Sequence, residues 1–232
     1  MKHKMLTWAM VVTIAVSCSD DEEKPYQCAE CAQTPEAVAA NDNSGKGIYK
    51  GLFVGSSGTI KFNIANSGAT IDAVLILDGV TIPLTTTATY DIANGFEGYF
   101  TNSTSGVSIG FYVTADGLDY AVFDLEIDGH PDAVIEVIKE LSTALVKVFE
   151  GTYSGDGNGT FNMLVQGSEW GVLADEGYFF SGAIDEGGNL SCDFDDCEFI
   201  NVTGKIIGDT ASGNWSSNFD DDNGKWKAER TL

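Results

Sequence analysis

From residue 46 onward the chain is cut into short segments by turn-forming residues, and this punctuation limits the possible folds more than any other feature. Ile71-Asp72-Ala73-Val74-Leu75-Ile76-Leu77 runs into Asp78-Gly79 and continues as Val80-Thr81-Ile82, a hairpin signature. Residues 107–113 and 159–165 alternate imperfectly between apolar and polar positions. Asp156-Gly157-Asn158-Gly159 and Glu186-Gly187-Gly188-Asn189 supply turns that β-branched residues cannot make, because positive φ is cheap for Gly and tolerated by Asn and Asp. Short strands interrupted at this rate predict a mainly β protein, an antiparallel sandwich or a meander barrel.

Two stretches share a skeleton. The first carries Tyr49-Lys50-Gly51, Gly58-Thr59-Ile60, Phe96-Glu97-Gly98-Tyr99-Phe100, Ser105-Gly106 and Asp116-Gly117. The second carries Tyr153-Ser154-Gly155, Gly159-Thr160-Phe161, Val202-Thr203-Gly204-Lys205-Ile206, Ser212-Gly213 and Asn223-Gly224. The order agrees and the lengths are nearly equal, so the sequence predicts an internal duplication: a first β unit over 46–130 and a second over 150–232. Between them Val134, Ile138, Leu141, Leu145 and Val148 recur in steps of four and three behind Pro131. That spacing predicts one amphipathic helix over 131–149 joining the two similar β units.

The N-terminus has a separate logic. A basic start, Met1-Lys2-His3-Lys4, precedes an uncharged run over residues 5–16 that ends at small residues. Its 12 residues fall short of the roughly 20 that cross a bilayer as a helix, which is the anatomy of a secretory signal. Ala15-Val16-Ser17-Cys18 resembles the lipobox of bacterial lipoproteins, and Ser19-Asp20-Asp21-Glu22-Glu23 resembles the acidic surface-export signal of Bacteroidota lipoproteins. The resemblance implies a signal peptide over 1–17, cleavage before Cys18, acylation of that cysteine, and an outer-membrane, surface-exposed protein. Residues 18–45, acidic and without apolar period, read as a flexible tether.

The charge balance narrows the partners. Loss of residues 1–17 leaves 10 Lys and Arg against 35 Asp and Glu, a net charge of −25. Such a chain repels phosphate backbones, so nucleic acid is not expected as a partner; the membrane is reached through the lipid anchor. His130 is the one imidazole left after the signal is removed, which argues against histidine-dependent catalysis. Four further cysteines, Cys28, Cys31, Cys192 and Cys197, are an even number in an exported chain and read as disulfides of open connectivity.

Candidate chemistry is sparse. Trp170, Trp215 and Tyr178 could stack on sugar rings, although aromatics usually fill the core of a β protein. Asp193, Asp195 and Asp196 in one loop, with Asp220 and Asp222 in another, are hard oxygen ligands that would suit calcium. Closing strands such as Gly224-Lys225-Trp226-Lys227-Ala228 are similar to the glycine-and-tryptophan strands of small meander barrels, including lipocalin-like and avidin-like proteins. These features point to a non-enzymatic, lipid-anchored binding module for a glycan or a surface protein. The alternatives are a structural module of a surface assembly and a lipocalin-like carrier of an apolar ligand. A carboxylate-based hydrolase would need two carboxylates facing one another across a cleft.

Overall fold

The computed structural model describes residues 25–54, 57–174, 179–192 and 197–232. They form a first set of strands β1 (Gly47–Val54), β2 (Gly58–Ile64), β3 (Ile71–Leu77), β4 (Val80–Thr85), β5 (Phe96–Asn102), β6 (Val107–Val113), β7 (Tyr120–Ile127) and β8 (Val134–Lys139). A second set follows: β9 (Val146–Gly155), β10 (Gly159–Gln166), β11 (Glu169–Ala174), β12 (Phe179–Ile184), β13 (Asn189–Cys192), β14 (Ile200–Ile207), β15 (Thr210–Ser217) and β16 (Asn223–Arg230). The protein is mainly β, and every ladder is antiparallel.

The second set is a closed up-and-down barrel in which β16 returns to β9. The first has the same cyclic order, a sheet running β7-β6-β5-β4-β3-β2-β1-β8, with the β7–β8 ladder unmade. Its two edges still meet, because the Lys139 amide on β8 donates to the Tyr120 hydroxyl on β7 at 3.4 Å. A register shift between β6 and β7 and a positive φ of 44° at Asp124 mark an irregularity in β7. The two units are therefore the same meander barrel made twice.

No helix joins them. Residues 134–139, expected on a helix, form β8, and β9 begins at Val146. The apolar stripe had helical spacing, but Val134, Ile135, Val137 and Ile138 are β-branched and lose rotamer freedom in a helix. The free edge of β1 supplies a complete ladder for them, from Val54↔Val134 to Tyr49↔Lys139. Long-range pairing wins over local period here.

Register also corrects the internal repeat. Gly51 lies opposite Ile60 and Val137, and Gly151 lies opposite Phe161 and Ala228. Tyr49-Lys50-Gly51 thus corresponds to Phe149-Glu150-Gly151 rather than to Tyr153-Ser154-Gly155. Gly58-Thr59-Ile60 and Gly159-Thr160-Phe161 do correspond, each opening the second strand of its unit. The later matches are one strand out of step, since Phe96–Asn102 is a fifth strand and Ile200–Ile207 a sixth. Glycine is required at both Gly51 and Gly151: a Cβ would collide with the Glu136 carbonyl at the first and the Phe161 ring at the second.

Side chains fill both interiors. In the first, Phe62 stacks on Phe111 with centroids 4.6 Å apart, and Tyr49 meets Phe111 edge-on at 5.1 Å. In the second, Phe149, Phe161, Met163, Trp170 and Trp226 are buried together. Leu52 from the first unit packs with Val146, Val148, Leu164 and Leu173 from the second and joins the barrels. Beside this seam the fully buried Lys50 and Glu140 pair at 2.7 Å.

Residues 25–45, part of the stretch read as a tether from its composition, lie across one end of each barrel. The Tyr26 hydroxyl donates to the Arg230 carbonyl at 2.8 Å, and the Cys28 amide donates to Asp209 Oδ2 at 3.1 Å. Arg230 in turn donates to the Ala32 carbonyl and pairs with Asp209. Further on, Glu36 bridges Lys50 and Lys61, and Lys139 Nζ donates to the carbonyls of Asn41, Asp42 and Ser44. Lys139 and Arg230 hold equivalent register positions, opposite Tyr49 and Phe149. Each unit is closed below by a buried cation that gathers backbone carbonyls from residues 32–44.

Candidate functional site

The sequence-derived candidates scatter. Trp170 is only 3% exposed, in the core of the second barrel, with its indole N–H shared between the carbonyls of Ala183 and Ser191 at 3.2 and 3.1 Å. A stacking role is closed to it, because the ring is consumed by packing against Phe180. Trp215 also faces inward but stands half-buried at the mouth, edge-on to Tyr153 at 6.1 Å, with its N–H on the Ser154 carbonyl at 3.3 Å. Tyr178, Asp193, Asp195, Asp196 and Cys18, the cysteine expected to carry a lipid, lie outside the described residues. The cysteines pair locally, Cys28 with Cys31 and Cys192 with Cys197, at Cα separations of 5.4 and 6.0 Å.

Asp220 and Asp222 sit in the β15–β16 turn. The Ser217 hydroxyl accepts from the Asp220 amide at 3.1 Å, and the Asp222 carbonyl accepts from the Ser217 amide at 2.8 Å. Both residues serve the turn through their backbones and carry exposed side chains. Among the described residues, no three His, Cys, Asp or Glu side chains converge to hold a metal ion.

The mouth of the second barrel carries what the single-residue candidates missed. Phe199 and Phe219 stand 67% and 65% exposed with centroids 5.4 Å apart. The Phe199 carbonyl accepts from the Asn218 amide at 3.1 Å, which fixes one ring beside the other. Phe179, also exposed, covers Gly171 on the outer wall. Together the two rings leave a small apolar patch exposed at the mouth. In sequence these phenylalanines were indistinguishable from core residues, since only the turn geometry of residues 217–223 brings them together.

A second place lies on the outer wall of the same barrel, where it faces the first unit. A cleft of about 360 Å³ opens there over β9, β10 and β16, with Ser57 of the first unit on its rim. Pleating sends alternate residues outward. Glu229, Glu150 and Asn162 form one row across the three strands, and Lys227, Thr152 and Thr160 form the next. The Ser57 hydroxyl donates to Glu150 at 2.5 Å. Glu150 and Glu229 are direct cross-strand neighbours, and among the described residues no cation lies in ion-pair range of either. The two carboxylates are neighbours on one wall of the cleft rather than facing one another across it, and Glu229 is exposed.

Nearby charges perturb the base of the barrel. Burial raises the Tyr26 hydroxyl pKa, reinforced by Glu229, Asp209 and Glu150. Burial lowers the Lys147 ammonium, with Arg230 adding to the effect and Asp209 opposing it.

No protein-family model, curated protein or solved structure matches this chain.

Proposed function

We propose that this protein is a bacterial lipoprotein, acylated on Cys18 and exposed at the outer membrane, that acts as a non-enzymatic binding module for a glycan or another surface component. The observation that carries the reading is the exposed Phe199–Phe219 pair, at the end of the second barrel opposite the leader. Tyr26 and Cys28 dock at the base beside Asp209 and Arg230. Seven residues lie between Cys18 and Tyr26, so the eight chain steps reach at most roughly 28 Å at ~3.5 Å per residue. Strand β15 runs from the base at Thr210 to the mouth at Ser217, roughly 25 Å away. A lipid at Cys18 would attach the molecule from its base, the end away from the aromatic mouth.

The carrier alternative fits poorly, because Phe62, Phe100 and Phe111 in one unit and Phe149 and Trp170 in the other occupy the space an apolar cargo would need. A structural module in a surface assembly is the second reading, and the filled, rigid interiors favour it. Two experiments separate the readings. Mass spectrometry of the N-terminal peptide should find diacyl or triacyl Cys18; an unmodified thiol would overturn the anchor. Binding to a glycan array and to whole cells should fall when Phe199→Ser and Phe219→Ser are combined; equal binding by the variant and the parent would overturn the aromatic mouth as the working surface.

A further inference from the structure

The outer wall of the first barrel over β5, β6 and β7 lies apart from the mouth of the second, and depends on neither that mouth nor the lipid anchor. We infer that this wall is a docking surface for a basic segment of a partner protein, held through arginine side chains on Tyr99, Phe123 and Tyr112.

The first observation is a set of rings fixed in place. Tyr99, Gly110 and Phe123 form one outward row across the three strands, and Glu97, Tyr112 and Ala121 form the next. The Phe123 ring lies where a Cβ on Gly110 would stand, and Tyr99 meets it edge-on with centroids 5.5 Å apart. Tyr112 extends the strip, 6.4 Å from Phe123. Each tyrosine is tied by its hydroxyl: Tyr99 donates to Asp124 Oδ2 at 2.7 Å, and Tyr112 donates to Asp119 Oδ1 at 2.9 Å. Tyr99 is still 46% exposed, and Phe123 and Tyr112 are partly so. Rings held in this way lose little rotamer freedom when a partner arrives.

The second observation is charge. Between Lys61 and Lys139 the chain carries eleven aspartates and glutamates and no lysine or arginine. That span includes all of β5, β6 and β7. Glu97, Asp119, Asp124 and Glu126 are exposed on or beside the rings, and among the described residues no cation lies in ion-pair range of any of them. Their field reaches the strip: the hydrogen bond to Asp124 raises the Tyr99 phenol pKa, burial adds to the rise, and the charges of Asp124, Glu97 and Glu126 add further. An aromatic face attracts a cation placed over it. A guanidinium suits the combination, because it is planar, stacks on a ring and donates in a fixed fork to a carboxylate. One phenol hydrogen bond leaves each aspartate with acceptor capacity to spare. The two ring–carboxylate pairs sit in rows one pleat repeat apart, roughly 7 Å. Side chains i and i+2 of an extended peptide have the same spacing, so the fitting sequence is Arg-x-Arg.

The test is an NMR titration of the full chain in nonionic detergent micelles with acetyl-Gly-Arg-Gly-Arg-Gly amide and its lysine counterpart. The arginine peptide should give saturable shifts at the amides of Gly110, Tyr112 and Phe123, and the lysine peptide should bind roughly threefold more weakly. Asp124→Asn should weaken arginine binding about fivefold and keep the fold, since asparagine tolerates the φ of 44° at that position. Phe123→Leu keeps an apolar cover over Gly110 but removes the ring face, and should weaken binding about threefold. Glu169→Gln, an exposed change on the second barrel, should leave the affinity unchanged. Absence of saturation overturns the proposal, as does parental affinity in both wall variants or an equal loss in Glu169→Gln. Shifts centred on Phe199 and Phe219 would place the peptide at the mouth and refute the wall. Spermidine binding as tightly as the peptide would reduce the surface to charge alone and overturn the assignment. Methyl glycosides saturating the same amides when the peptide does not would make it a sugar platform, with the same consequence. Self-association of the free chain that Asp124→Asn abolishes would make a second copy the occupant, which also refutes it.

Discussion

Replacing Glu140 should unlock the joint between the two barrels. Its fully buried carboxylate accepts four hydrogen bonds: from Lys50 Nζ at 2.7 Å, and from the amides of Glu36 at 2.6 Å, Ala37 at 3.3 Å and Val146 at 3.0 Å. These partners belong to three different parts of the molecule: the leader, the first strand of the first barrel and the start of the second barrel. In Glu140→Ala the Lys50 ammonium, itself fully buried, keeps only Glu36, and three amides lose their acceptor. Breaking a buried pair by removing one member costs about 3–5 kcal/mol, and at about 2–4 °C per kcal/mol for a chain of this size the melting temperature should fall by roughly 10 °C. Hydrogen exchange gives the local readout: the Glu36, Ala37 and Val146 amides should lose protection before the barrel interiors do. The combined Lys50→Met and Glu140→Leu variant should be less destabilised than Glu140→Ala, since no unpaired charge stays behind. If Glu140→Ala melts within a degree of the parent, or the double variant costs more than the single, the joint does not depend on this pair and the reasoning fails.

Trp170→Ala should cost about 3–5 kcal/mol by opening a cavity in the second barrel, read by denaturant titration; a neutral result would show that the ring is not core. Gly151→Ala should destabilise by roughly 1–3 kcal/mol through its clash with the Phe161 ring, and a thermal melt at or above the parent would contradict that packing. Asp209→Asn should free residues 26–32 from the base, so limited proteolysis would cut there while the barrel circular dichroism persists; unchanged resistance would show that the leader is held elsewhere. The pH dependence follows from Glu36, where burial raises the carboxyl pKa but the hydrogen bonds and charges of Lys50 and Lys61 together outweigh it, leaving it lowered from 4.5. A depressed folded value gives stability that is present above about 4.5 and lost as the pH falls through the lower folded value. Leader amide protection should decline in that acid window, and Lys61→Met should shift the decline to higher pH.

Much of the fold was legible because glycine and Asx turns are local. Asp78-Gly79 does turn β3 into β4, with φ of 50° and 75° at the two residues, and Gly58-Thr59-Ile60 and Gly159-Thr160-Phe161 do open matching strands. Spacing misled where two periods were compatible with one segment. Val134 and Ile138 fit a helix stripe, yet Ile135 and Val137 between them are the residues that reach the core. The candidate site was less legible than the fold. Trp170 and Trp215 look alike in sequence; a difference in depth along the barrel buries one and leaves the other at the mouth. Phe199 and Phe219 are twenty residues apart and become a pair only when β14 and β15 are in register. Glu150 and Glu229 are farther apart still and meet only because the barrel closes.

The amino-acid order alone determined the strand-rich class, the presence of two similar units and several turn positions, because φ preference and side-chain alternation act over a few residues. Barrel closure, the joint at Lys50 and Glu140, the aromatic mouth and the polar cleft were decided only by tertiary structure. Each depends on which distant strand edges find one another, and that choice is made by the free energy of the assembled sheet rather than by any segment in it.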